Sequence, residues 1–456
     1  MNSISRPTQK VSRKFNTLQL LRSGWYATWG ISLLLLIVSI YGVNSQRQAI
    51  DAVGKNAAPS ILTAQQLQDS FADMDASLAN ELLLKPGENR QALIDFDKNR
   101  KKIADRLVAA ARNITYPEEE TIIQSLQFSS SAYLLKLQEA RDAHKRGDAV
   151  NTLNIYQTAA KLMDREIIPQ AEKLSQVNFN YLETAYTGQK FTNGGISLLI
   201  SVVGLVQIGI LVVIQIFLYQ RMRRILNLPL LGATAISIIF LGHTVGSFVG
   251  AASNLKIAKE DAFNSLYALR QMRSLSYKAN ADESRYLLDR SNAILHEQSF
   301  NDKVNKIVVI PPSQSIDSII ANTQAGQSNQ GLSGLLADAL NNITFTGEKE
   351  LAIDTFKSFN EYIAIDKQIR QLYRSGKIAE AIALCVGTKQ GESNWAFDRY
   401  RNFQTRLIDL NKKEFDQNIE IGNSRLTYFE VIATIALISI AILTLMGLRP
   451  RLMEYL

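Results

Sequence analysis

Four long apolar runs interrupt an otherwise polar chain, at 25–43, 197–219, 230–251 and 428–448. A helix needs about 20 apolar residues to cross a bilayer core of about 30 Å, so each run predicts a membrane-spanning helix. Polar stretches of more than a hundred residues separate the first run from the second and the third from the fourth, while a short turn joins the middle pair. Strand-like alternation is almost absent from the polar stretches. Toward the end of the first, Leu153, Tyr156, Ala160, Met163, Ile167, Leu174, Val177 and Tyr181 recur at alternating spacings of three and four, with Gln170 in the one missing slot. That narrow stripe is a bundle seam. The pattern predicts an all-α membrane protein: four transmembrane helices and two tandem extracytoplasmic domains resembling four-helix bundles.

Helix breakers subdivide the first polar block. One helix over 44–85 is stopped by Pro86-Gly87, a second covers 88–112, a third covers 118–145, and Gly147 ends it before Asp148, a candidate N-cap, opens the fourth. Pro59 and Pro169 fall inside the first and fourth of these and predict local kinks.

Charge sets the orientation. Arg6, Lys10, Arg13, Lys14 and Arg22 crowd the N-terminal tail, Arg221, Arg223 and Arg224 the middle turn, and Arg449 and Arg451 the C-terminal tail. Lys and Arg that flank membrane helices are retained on the cytoplasmic side. The expected layout is a cytoplasmic tail (1–24), span (25–43), extracytoplasmic bundle (44–196), span (197–219), cytoplasmic turn (220–229), span (230–251), second extracytoplasmic bundle (252–427), span (428–448) and cytoplasmic tail (449–456). The short segments carry about as much positive charge as the whole chain, whose net charge is +8, so the outer blocks are near neutral and no nucleic-acid partner is implied. The first run is longer than a signal-peptide core of about 7–15 residues and reads as an uncleaved anchor. Trp25, Tyr26, Trp29 and Tyr41 stand where interfacial aromatic anchors belong.

The two outer blocks share a frame. Asn113-Ile114-Thr115-Tyr116 is echoed by Asn342-Ile343-Thr344-Phe345, Tyr133 by Tyr362 and Gly147 by Gly376, each pair separated by the same distance along the chain. A duplicated unit accounts for three matches in one register. The second copy departs at 307–334, where Pro311-Pro312 opens a stretch rich in Ser, Gln, Asn and Gly. This segment reads as disordered or irregularly packed, with a docking loop as the alternative. After it, helices are expected over 348–374 and from Lys377 into the last span.

No catalytic constellation accompanies this layout. His144, His243 and His296 lie far apart, and no Cys/His or His/carboxylate spacing suggests a metal site. Neither a phosphate-binding Gly-rich loop nor a GxSxG elbow is present. The chain reads as non-enzymatic and without a cofactor. The lone Cys385 excludes an intramolecular disulfide and is expected to be a small buried residue. In the third span Gly242, Gly246 and Gly250 share one face and permit close helix approach, within one chain or between two in a homodimer surrounded by membrane lipid. His243 beside them lacks a partner carboxylate, which makes a poor proton path and disfavours transport. Gln207 and Gln215 suit interhelical hydrogen bonds.

Two resemblances narrow the function. Pro59-Ser60-Ile61-Leu62, Ser70-Phe71-Ala72-Asp73-Met74, Glu81-Leu82-Leu83-Leu84 and the Gly147-Asp148 turn make the first block similar to the four-helix-bundle sensor domain of bacterial chemoreceptors, although no HAMP or signalling coiled coil follows. Residues 277–285, Asn342-Ile343-Thr344-Phe345 and Gly391-Glu392-Ser393-Asn394-Trp395-Ala396-Phe397-Asp398 resemble the actinobacterial GlnX-like four-span signalling proteins. That resemblance implies a linker between an extracytoplasmic amino-acid-binding lipoprotein and a cytoplasmic Ser/Thr kinase of the PknG type, with no catalytic residues of its own. The expectation is a sensory transducer of the bacterial cytoplasmic membrane in which Arg221, Arg223 and Arg224 dock the cytoplasmic partner. The rival reading is a membrane scaffold that anchors an extracytoplasmic complex.

Overall fold

The computed structural model describes residues 17–222 and 227–453. In chain order the helices are α1 (Thr17–Asp51), α2 (Ala58–Leu82), α3 (Arg90–Arg112), α4 (Pro117–Lys145), α5 (Ala149–Leu162), α6 (Ile168–Met222), α7 (Leu228–Lys256), α8 (Asn264–Leu288), α9 (Ala293–Ile307), α10 (Ile316–Gln324), α11 (Leu335–Asn341), α12 (Glu348–Arg374), α13 (Ile378–Val386), α14 (Ser393–Ser424) and α15 (Phe429–Met453). Among the described residues the only β-pairing is an isolated bridge, Val309 to Ser333. The chain is an all-α membrane protein. Among the described residues, four helical runs are long and apolar enough to cross a membrane: Leu18–Leu82, Ala149–Arg221, Leu228–Leu288 and Ser393–Met453. Two compact units result, an apolar one from Met1–Ala49, Thr187–Ser253 and Ile421–Leu456, and a polar one from Ile50–Tyr186 and Asn254–Glu420.

The apolar unit exposes Leu33, Ile37, Leu198, Val213, Ile239 and Ile435, as a lipid-facing surface requires. Two glutamines bond across helices inside it: Gln207 Nε2 donates to Ser32 Oγ at 3.0 Å and Gln215 Nε2 to Thr234 Oγ1 at 2.8 Å, the interhelical bonds anticipated for both. Glu430, a charge within the fourth apolar run, forms an ion pair with Arg47. His243 stacks on Phe429 with ring centroids 6.1 Å apart. The last span does not continue one smooth helix from Lys377: α13 ends before Gly387, and Tyr428, with φ of 60°, divides α14 from α15.

Within one chain the Gly242, Gly246 and Gly250 face is not a shared helix contact, which leaves contact between two chains as the remaining form of that expectation. A Cβ placed on Gly242 or Gly246 meets nothing within 4 Å, and only Gly250 is crowded, by the Arg425 side chain. Close approach within the chain falls instead to Gly42, whose Cβ would lie 2.6 Å from the Phe248 ring, and to Gly204, 2.6 Å from Leu241. Gly42→Leu should therefore destabilise the detergent-solubilised chain by about 1–3 kcal/mol through overpacking, whereas Gly246→Leu should leave thermal unfolding of the monomer unchanged. A lower melting temperature for Gly246→Leu in a monomeric preparation would contradict this packing.

In the polar unit each block has its own core. Phe71, Met74, Leu126, Tyr133, Leu137 and Tyr156 centre the first, and Phe300, Phe356, Phe359, Tyr362, Tyr400 and Ile408 the second. The duplication is visible as repeated polar anchors. Asn113 Nδ2 donates to Ser60 Oγ at 2.7 Å, and Asn342 Nδ2 to Ser265 Oγ at 2.8 Å. Glu119 Oε2 accepts from the Thr115 and Tyr116 amides, as Glu348 Oε2 does from Thr344 and Phe345. The other oxygen of each glutamate accepts from a buried asparagine on the last long helix of its block, Asn178 at 2.7 Å and Asn411 at 2.9 Å. Gly147 and Gly376 both end a helix at φ of 77°, a left-handed position that glycine adopts without steric cost. Asp148 caps α5 through the Asn151 amide at 3.1 Å.

Both proline sites coincide with π-helical turns, Ala52–Ala57 before Pro59 and Met163–Ile167 before Pro169, where a widened turn relieves the clash of a proline ring with the preceding carbonyl. A third π turn, Ile257–Phe263, precedes Ser265 as Ala52–Ala57 precedes Ser60. It has no proline, so the bulge belongs to the repeated unit. The 307–334 segment takes the irregularly packed form of the two expected, not the disordered one: Val309 and Ser333 exchange backbone hydrogen bonds, and Ile307, Val308, Ile319, Ile320 and Leu332 join the second core. Its apolar residues are spaced across short elements, which hides them from any single periodicity.

Candidate functional site

The two blocks meet along α2 and α8. Successive contacts advance together on both helices, from Gln65 with the Tyr267 carbonyl, through Gln68 with Ser274 at 3.2 Å, to Asn80 with Ser284 at 2.7 Å, so the pair is parallel. Nearly every residue of α2 from Ser60 to Leu82 is buried, polar ones included.

Charges are set into this seam at three levels. Asp69 Oδ2 accepts from Arg270 Nη1 at 3.3 Å, with Arg273 Nε at 3.8 Å. Arg401 lies 3.6 Å from Asp73 and 2.6 Å from Asp398. Arg285, from α8, donates to Asp75 at 2.7 Å and to Tyr156 and Asp164 at 3.2 Å each, while Tyr133 Oη reaches the other oxygen of Asp75 at 3.2 Å. Burial raises the carboxyl pKa of Asp69, Asp73 and Asp75, against the nearby arginines that lower it. Burial alone would lower Arg285, but Asp75, Tyr156, Asp164 and Asp282 together hold it well above its ordinary value. Buried pairs of this kind fix one arrangement of their partners more than they add net stability.

Beside the upper part of the seam, α2, α6 and α8 enclose a cleft of about 270 Å³. Gln65, Gln68, Ser175, Gln271 and Ser274 line it, with Tyr267 and Leu275 supplying apolar surface. Gln65 and Ser175 are 3% and 4% exposed, and Gln65 Oε1 and Ser175 Oγ have no hydrogen-bond partner in the protein. Glu172 and Lys278 also line the cleft and form an ion pair at 3.1 Å, the glutamate side chain 58% exposed and the lysine 18%. The lining comes from three of the four helical runs that can cross a membrane.

The residues singled out in the sequence lie elsewhere. Arg221 is exposed on the last turn of α6, and Arg223 and Arg224 lie outside the described residues, as does the basic tail over 1–16. Cys385 is buried as expected, with Sγ 3.5 Å from Glu283 Oε1. Among the described residues no group of His, Cys, Asp and Glu is arranged to hold a metal ion. The seam has no plain signature in the sequence, because acidic and basic residues on long helices are ordinarily solvated. One signal was available: 277–285 and 69–75 place charges where a helix with a single apolar face would have none.

Residues 49–187 match the family model of an actinobacterial sensor domain. The match covers the first block of the polar unit almost from end to end and less than half of the chain. No curated protein and no solved structure matches. The match and the four apolar helical runs support a multi-pass membrane protein with a sensory role.

Proposed function

We propose that the chain is a non-enzymatic transducer of the bacterial cytoplasmic membrane. It relays an extracytoplasmic signal, from a solute such as an amino acid or from the solute-binding protein that carries it, to a cytoplasmic Ser/Thr kinase. Both blocks are extracytoplasmic in this reading, and the termini and the 220–229 turn are cytoplasmic. The observation that carries it is the parallel α2–α8 seam. The two helices belong to different candidate spans and ion pairs hold them at two levels, Asp69 with Arg270 and Asp75 with Arg285, while Arg401 of α14, on a third such run, pairs with Asp73 of α2. A displacement of either helix must rearrange those pairs together, and interface shifts of about 1–2 Å are the usual scale of such switching.

The cytoplasmic half of the reading rests on Arg221, Arg223 and Arg224. With all three changed to Gln and orientation checked by reporter fusions after Gln220 and Leu456, co-purification of the kinase should fall, because charge-assisted contacts are lost. Binding of an outer partner should persist. Full retention of the kinase in a correctly oriented chain would leave the arginines as topology signals and remove the docking claim from the turn. A scaffold would keep its outer complex in either case and show no kinase at all.

A further inference from the structure

We infer that the cleft between α2, α6 and α8 binds a small zwitterionic solute, its carboxylate on Lys278, its ammonium on Glu172 and an uncharged hydrogen-bond-donating end on Gln65 and Ser175. This deepens the transducer reading proposed above and rests on it. At about 270 Å³ the cleft sits near the lower end of the range of about 300–1,000 Å³ typical of ligand sites, which suits a solute of amino-acid size. The Glu172–Lys278 pair is partly open to solvent, and such pairs contribute little on their own. A zwitterion replaces each half with a charge-assisted hydrogen bond. On the same lining, Gln65 Oε1 is an acceptor without a donor and Ser175 Oγ has no partner, both on residues more than nine-tenths buried. A ligand with an amide NH₂ or hydroxyl at its far end satisfies them, and an aliphatic one does not.

Position favours this cleft over the larger one in the second block. That cleft, of about 430 Å³, is built from α9, α12 and the segment at Val308 and Ile310, none of it part of a span-bearing run. Occupancy at the α2–α6–α8 cleft bears on three helices that carry candidate spans.

The test uses the full chain in lipid nanodiscs and calorimetric titration with L-glutamine, L-serine, L-leucine and glycerol. Saturable binding is expected for L-glutamine or L-serine. L-Leucine, which lacks a side-chain donor, and glycerol, which lacks both charges, should bind at least about tenfold more weakly, since a site built around polar groups rejects ligands that leave them unpaired. Lys278→Gln and Glu172→Gln should each weaken binding by about tenfold or more, with unchanged thermal unfolding for Glu172→Gln, whose side chain is 58% exposed. Gln65→Leu should narrow the preference over L-leucine. Absence of binding by both donor-bearing amino acids, or binding unaffected by the two rim variants, overturns the assignment. Kinase co-purification, read separately, keeps the two claims apart: a kinase-bound chain that ignores all four solutes loses only the ligand, and a solute-binding chain without a kinase loses only the relay.

Discussion

Replacing Arg285 with methionine should cost the folded chain about 3–5 kcal/mol, because it leaves the buried Asp75 carboxylate without its cation. Asp75 is 1% exposed and accepts from Arg285 Nη2 at 2.7 Å, with the Tyr133 and Tyr156 hydroxyls completing its shell. Asp282 keeps Lys303 as a partner in the variant, so the loss concentrates on Asp75. Adding Asp75→Asn removes the stranded charge, keeps an oxygen acceptor for one tyrosine and offers an amide donor to the hydroxyl of the other, so the double variant should be more stable than Arg285→Met alone. The measurement is thermal unfolding followed by circular dichroism on the solubilised full chain, set out as a double-mutant cycle. Additive losses would mean that Asp75 and Arg285 do not depend on each other, and the seam could not act as a coupled element.

The sequence made the architecture legible because lipid and bundle packing each impose a pattern. Runs at 25–43, 197–219, 230–251 and 428–448 announce themselves by length and apolarity alone, and all four lie inside the helical runs that qualify as spans. Gly147 and Gly376 were readable as helix ends because breakers act locally. The repeat carries more than the echoes at Asn113, Tyr133 and Gly147. Glu119 and Glu348 fall in the same register as Asn113 and Asn342, and their identical bonds show that the frame was fixed by polar anchors. What stayed hidden was tertiary. Gly42 and Gly204, with no small-residue motif around them, make close helix contacts within the chain. The fold of 307–334 depends on a single bridge and on apolar residues scattered over one short helix and the turns beside it. The charged seam needed two distant helices to be seen side by side, and no local pattern pairs Asp75 with Arg285.

Stability of the folded chain should fall as pH rises from 4.5 to about 8 through one buried acid, Glu283. Its Oε1 accepts from Ser393 Oγ at 2.6 Å and from the Cys385 thiol at 3.5 Å, and Tyr362, Asp366 and Arg370 face it from α12. Burial pushes its pKa from 4.5 up to about 8, the neighbouring Asp366 adds to the rise, and Ser393, Arg370 and Tyr362 oppose it. Between these two values the native state keeps a proton that the unfolded chain has released. Its contribution is fully present below pH 4.5, declines with a slope of roughly 1.4 kcal/mol per pH unit for one proton, and is exhausted above about 8. Glu283→Gln removes the titration while keeping a side-chain oxygen for Ser393, so the stability difference between variant and wild type should shift in favour of the variant across this window and then level off. Ser393 is the first residue of the helical run that carries the fourth candidate span, so the ionisation bears on a helix of the proposed relay. Parallel pH profiles for the two proteins, measured by thermal unfolding, would show that Glu283 is already ionised in the fold and would remove it from any account of pH dependence.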